Sequence, residues 1–144
     1  MKARVKWVEG ATFVAESGSG HALVVDGPPD HGGRNLGPRP MEMVLMGLGT
    51  CSAFDVVQIL GKARQRVSSC HVELEAERAD AVPAVFTHIH LRYVVRGTAV
   101  KPSVAARAVE LSVDKYCSAT AMLRESASIT HDWVIEEDAA SGDG

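Results

Sequence analysis

The strongest constraint on the fold is residues 37–60, GPRPMEMVLMGLGTCSAFDVVQIL, where a single charge, Glu42, interrupts the run from 41 to 54. Met41, Val44, Leu45, Leu48, Ser52, Val56, Ile59 and Leu60 recur at the three- and four-residue spacing of a helix. The spacing predicts one long helix. Pro38 and Pro40 suit its entry, where a missing amide hydrogen costs nothing, and Glu42 complements the positive end of the helix dipole. A helix apolar on nearly every side must be covered by protein on nearly every side. The near-uncharged run falls short of the roughly 20 residues needed to cross a bilayer, so the expectation is a core helix and no membrane span. Cys51 lies in its middle.

A chain of 144 residues suits one domain, able to bury roughly two-thirds of its unfolded surface without metal or disulfide staples. A net charge of -3 and a pI near 6.0 argue against nucleic acid as the main partner. The short basic cluster Lys62, Arg64 and Arg66 reads as the solvated end of a helix. At the N-terminus MKARVKWVEG alternates polar and apolar residues, unlike the continuous apolar region of a secretory signal, which points to the cytoplasm. Cys51, Cys70 and Cys117 show no zinc-type spacing. In a reducing compartment, any bond between them is expected to be transient, in catalysis or sensing.

Taken in order, residues 3–9 and 12–16 alternate around Gly10, whose freedom to take positive φ suits a hairpin turn, and residues 21–26 read as a third strand. Residues 27–40, GPPDHGGRNLGPRP, are loop by composition and carry His31, Arg34 and Arg39 to the mouth of the long helix. Loops of this length in compact domains are commonly functional. After the helix, residues 69–77 and 87–95 alternate strictly and predict two long antiparallel strands joined through the turn at 79–83. Lys101-Pro102-Ser103 opens a second helix reaching Lys115 or Tyr116, and Ser118 is a plausible cap for a short third helix. Residues 129–136 form a closing strand. One domain over 1–138 is expected, with 139–144 a frayed tail. The order β-β-β-α-β-β-α-α-β predicts an α+β architecture of antiparallel sheets with helices on one side.

Cys117 has the better purely physical case for reactivity, since a sulfur at a helix start feels the dipole that favours thiolate. Cys51, in an apolar helix, ionises readily only if a cation reaches it, and Arg34 or Arg39 is the candidate by chain position. Against this stands the plain reading of a buried cysteine as a small apolar filler, which is kept for Cys70. Glu42 reads first as a helix-start residue and second as an acid or base. His88 and His90 share the strand face opposite Ile89 and Leu91, which suggests a solvated pair rather than metal ligands. Asp55 and Gln58 mark where the helix meets solvent or a partner subunit.

Three segments, PMEMVLMGLGTCSAFDVV around Cys51, PAVFTHIHLRYVVRG over residues 83–97 and VELSVDKYCSATAML around Cys117, resemble the OsmC/Ohr family, most closely its YhfA-like branch. The resemblance runs from the first hairpin to the ITHDW strand. It implies an OsmC-like α+β fold in which two chains intertwine as a homodimer around a long central helix, with active sites at the subunit interface. Its best-known members are thiol peroxidases that reduce organic hydroperoxides. By resemblance Cys51 matches the peroxidatic cysteine, oxidised to a sulfenic acid, and Cys117 the resolving cysteine that condenses with it to a disulfide. No bound cofactor is implied; an external dithiol, lipoyl-type or other, reduces the disulfide by exchange. An apolar wall beside the sulfur favours organic hydroperoxides over hydrogen peroxide.

One departure matters. The peroxidase branches place a glutamate, partner to the catalytic arginine, directly after the proline at the helix start; here that position is Met41, and Glu42 comes one residue later, about 100° around the helix. Arg34 is the candidate arginine, with Arg39 behind it. Three readings follow: an organic hydroperoxide reductase acting through Cys51 and Cys117; a disulfide-exchange or sensor protein with the same pair; and a non-enzymatic binder of small apolar ligands.

Overall fold

The computed structural model describes residues 1–140. Of the expected tail, Ala139 and Ala140 are exposed coil, and residues 141–144 lie outside the described residues. The chain divides into two compact units, Met1–Met46 and Gly47–Gly144, with the boundary inside the long helix.

In the first unit β1 (Ala3–Glu9), β2 (Thr12–Ser17) and β3 (Ala22–Val25) form an antiparallel sheet in chain order. The first turn depends on Gly10, whose φ of 53° would strain any other residue and whose carbonyl accepts the Trp7 indole N–H at 3.0 Å. Loop 27–40 is anchored at Asp26, which is 1% exposed. Oδ1 accepts the Thr12 hydroxyl at 3.2 Å and the Gly27 N–H at 2.8 Å, and Oδ2 accepts the N–H groups of Arg34 at 3.0 Å and Leu36 at 3.1 Å. Burial alone would raise its pKa, but these donors outweigh burial and hold it below the usual 3.8.

The long helix, α1, spans Pro40–Lys62. The Glu42 carboxylate accepts the Arg39 backbone N–H at 2.9 Å, reaching back as in a capping box. At the other end Arg64 takes a left-handed φ of 55° and stops the helix. The 23 residues of α1 are long and apolar enough, by length and composition, to cross a membrane, so the length argument drawn from the sequence does not hold. A soluble core helix passes the same test. Full coverage of the helix is not met either: its buried residues are Leu48, Gly49, Ser52, Val56 and Leu60, a single stripe at near-four spacing. Phe54 is 64% and Val57 45% exposed on the remaining face.

The second unit continues with β4 (Arg66–Arg78), β5 (Phe86–Thr98), α2 (Pro102–Leu111), a π turn (Ser112–Tyr116), α3 (Ser118–Leu123) and β6 (Ser128–Glu137). β4 and β5 pair antiparallel as the alternation requires, whereas β6 lies parallel to β5, with Tyr93 opposite Trp133. The antiparallel expectation fails for this one strand, because two helices intervene and form the crossover that a parallel return needs. Ile89, Leu91, Tyr93 and Val95 are wholly buried on the inner face of β5. Gly49 of α1 comes close to β4, where a Cβ would sit 2.7 Å from Leu74 Cδ1. The opposite face carries cross-strand pairs, including Arg92 with Asp132 at 2.6 Å. His88 and His90 lie there too, half-buried and not fully solvated, both against the Thr130 hydroxyl, at 3.4 and 2.7 Å.

Asp26→Asn turns an amide N–H₂ toward backbone donors, so the melting temperature is expected to fall by several degrees. The parent should lose stability as pH drops through the lowered pKa of Asp26, its contribution being fully present above the ordinary carboxylate value; the variant should lack that segment of the pH profile. Melting curves between pH 2 and pH 7 check both. Leu60→Ala, at a wholly buried position, should cost about 2–5 kcal/mol in chemical denaturation.

Candidate functional site

The second unit brings Cys51 and Cys117 together. Cys51 is half-buried on α1, near the Gly49 and Ser52 stripe, while Cys117 is 3% exposed at the junction of the π turn and α3. The two side chains are neighbours, close enough for Cys51 to push the Cys117 pKa up, and all three cysteines are free thiols. Cys70, inward on β4, has its pKa raised by burial, as a filler residue would.

Cys117 itself, not Ser118, caps α3: its sulfur accepts the Thr120 N–H at 3.4 Å. The helix-start argument therefore places the sulfur correctly, but its consequence is reversed. Burial pushes the Cys117 pKa up; Thr120 pulls it down, and the neighbouring Cys51 pushes it up again, leaving it raised. Thr120 is wholly buried, and its hydroxyl has no hydrogen-bond partner among the described residues, although it lies near enough to the Cys117 sulfur to lower its pKa.

The π turn that delivers Cys117 is closed by the Cys117 N–H donating to the Ser112 carbonyl at 2.8 Å. Isolated π turns in helices frequently mark functional sites. The Ser112 hydroxyl is 2.8 Å from the Ser52 hydroxyl and 2.9 Å from the Ser52 carbonyl, and Ser52 is also hydrogen-bonded to the Tyr93 hydroxyl. Ser52, Ser112 and Tyr93 are each wholly buried. Burial pushes the Tyr93 pKa up to about 12, so it stays a neutral donor. Asp55 Oδ2 lies 3.5 Å from Ser112 Oγ. With Phe54, Gln58, Ile59, Lys62, Leu111 and Tyr116, Asp55 lines a groove of about 430 Å³.

The remaining candidates lie in the first unit. The Arg34 guanidinium donates to Glu9 Oε1 at 2.6 Å, an exposed pair. The Arg39 guanidinium bonds the Asn35 side chain and sits 3.8 Å from Glu42. The structure thus joins Cys51 to Cys117, Arg39 to Glu42 and Arg34 to Glu9. Val5, Phe13, Ala15, Val25, Pro40 and Met43 help line an apolar cavity of about 520 Å³ in this unit. The sequence places Ser52 in the helix stripe but assigns no site role to it or to Ser112, Tyr93 and Thr120. The available signal was chemical: two serines and a tyrosine fall at inward, apolar-stripe positions, where a hydroxyl needs a partner.

Residues 31–132 match the family model described as OsmC-like protein. The chain is 50% identical over 135 residues to Protein YhfA of Escherichia coli, covering 94% of this chain and 98% of that one. Among solved structures, a hypothetical protein from Aquifex aeolicus is 29% identical with a TM-score of 0.84, over 96% of this chain and 97% of that one. A Legionella pneumophila structure described as an organic hydroperoxide resistance protein OsmC shares the fold, with a TM-score of 0.69 at 14% identity over 92% and 94% of the two chains. The chain belongs to the OsmC-like protein family.

Proposed function

We propose that this chain is a cytoplasmic, homodimeric thiol redox protein that reduces organic hydroperoxides through Cys51 and Cys117. The observation that carries the reading is the pairing of a half-buried thiol with a buried one, near enough for the first to perturb the ionisation of the second. Membership of a family with organic hydroperoxide resistance proteins among its structural neighbours supports the redox role. Burial and the neighbouring Cys51 keep Cys117 protonated, which leaves Cys51, the more accessible sulfur, as the attacking group.

The chemistry balances in three steps. The Cys51 thiolate takes the terminal oxygen of ROOH, the O–O bond breaks, and the departing alkoxide takes a proton to leave as ROH, giving Cys51 sulfenic acid. The Cys117 thiol displaces the sulfenic hydroxyl, which leaves as water, and the disulfide forms. An external dithiol, lipoyl-type or other, then reduces the bond and is itself oxidised to its disulfide. Arg34, with Arg39 behind it, is the proposed activating cation. The Glu9 carboxylate, 2.6 Å from Arg34, supplies the partner that Met41 does not, while Glu42 is engaged at the helix start.

The homodimer is the proposed cover for the bare face of α1, where Phe54 and Val57 meet water in the single chain. The Met41 position and the engagement of Glu42 favour, as a second reading, disulfide exchange or sensing by the same pair without peroxidase turnover. The apolar cavity of the first unit is the observation behind a third, non-enzymatic binding of a small apolar ligand.

Cys51→Ser is expected to lower cumene hydroperoxide consumption with a dithiol reductant by at least 100-fold, and Cys117→Ser to halt after one turnover as a sulfenic acid trapped by dimedone. Unchanged turnover in Cys51→Ser would overturn the peroxidase reading. Stoichiometric disulfide without turnover would select the exchange reading, and a co-purified ligand in native mass spectrometry with inert thiols the binding reading. Sedimentation should give twice the 15.3 kDa chain mass, and Val57→Asp should shift the population toward the single chain.

A further inference from the structure

The thiol pair depends on two elements far apart in sequence, and the structure contains a specific link between them. Ser52 directly follows Cys51 on α1, and Ser112 supplies the carbonyl that accepts the Cys117 N–H at 2.8 Å. Their side chains meet, so the shortest hydrogen-bonded route from one cysteine backbone to the other runs Cys51, Ser52, Ser112, Cys117.

Donor accounting shows that the link is complete. Each hydroxyl has one proton. Tyr93 O–H donates to Ser52 Oγ, Ser52 O–H donates to Ser112 Oγ at 2.8 Å, and Ser112 O–H donates to the Ser52 carbonyl at 2.9 Å. Every proton is used, and both serine oxygens accept as well as donate. Asp55 Oδ2, at 3.5 Å from Ser112 Oγ, is a longer alternative acceptor. All three hydroxyl residues are wholly buried, where alanine, valine or phenylalanine would pack without needing any partner. A buried polar network that holds a unique geometry has a use that an apolar core lacks: it admits one register between the elements it joins.

We propose that Ser52, Ser112 and Tyr93 act as positioning residues that lock α1 to the π turn, so that Cys117 is held within bonding reach of Cys51. The inference rests on the reading of Cys51 and Cys117 as a disulfide-forming pair, but not on the peroxide as oxidant. None of the three side chains takes part in the chemistry. Their effect is on the effective concentration of one thiol at the other.

The test is a thiol–disulfide equilibrium with glutathione, in a Cys70→Ala background so that only the pair reports. Two protein thiols reduce one glutathione disulfide to two glutathione thiols, and alkylation followed by peptide mass mapping reads the fraction closed as Cys51–Cys117. Ser112→Ala should lower the effective concentration at least tenfold, and Tyr93→Phe, which keeps the ring and removes one hydrogen bond, about threefold. Val109→Ala, a wholly buried residue on α2 outside the network, should lower the melting temperature yet leave the effective concentration unchanged. Values within experimental error of the parent in both hydroxyl variants, or an equal fall in Val109→Ala, would overturn the proposal. Should Ser112→Ala not fold, Tyr93→Phe against Val109→Ala decides alone. A parent that closes with glutathione disulfide but not with hydroperoxide sinks the peroxidase reading and leaves the lock standing. A parent that never closes the pair sinks both.

Discussion

Everything in the second unit depends on how α1 is seated. One stripe of the helix, Leu48, Gly49, Ser52, Val56 and Leu60, is buried, and the absence of a side chain at Gly49 permits the close approach to Leu74 of β4. Two residues from Gly49, Cys51 inherits its position from that contact. The hydroxyl of Ser52, in the same stripe, then meets Tyr93 from β5 and Ser112 from the end of α2. A largely apolar helix could slide or rotate at little cost in dispersion energy; hydrogen bonds in a dry interior cannot be shifted without leaving donors unpaired.

The electrostatics of the two sulfurs follow from the same seating. A helix start favours thiolate, worth a fraction of a kcal/mol to about one in exposed settings. At Cys117 burial opposes it and prevails, with the Thr120 donors only partly offsetting the effect. The buried sulfur is kept as a thiol, and the half-buried Cys51 is the more accessible of the two. This difference is set by depth in the fold, not by the residue type, which is the same at both positions.

The uncovered face of α1 gives the first and second units a common physical problem. Phe54 and Val57 are exposed, as are Val5 and Trp7 on β1. Exposed apolar surfaces of this kind mark interaction sites, and the proposed homodimer would cover them. The 23-residue helix satisfies the length and hydropathy of a membrane span by composition alone, while belonging to a chain of the OsmC-like protein family.

What the sequence determined by itself was mostly local. Period-two alternation set β4 and β5 with their inner and outer faces, the three- and four-residue spacing set α1 and α2, and Gly10 set the first turn, because side-chain period and backbone freedom are properties of adjacent residues. Resemblance in three segments identified Cys51 and Cys117, which no spacing rule could have paired. The tertiary structure decided what depends on depth and on distant partners: the parallel return of β6, the reversal of the helix-start effect at Cys117, the engagement of Arg34 by Glu9, and the Ser52, Ser112 and Tyr93 lock. A serine in an apolar stripe reads as a small residue until its partner is known, because desolvation and hydrogen bonding are decided by what the fold brings within about 3 Å, and chain distance carries no record of that.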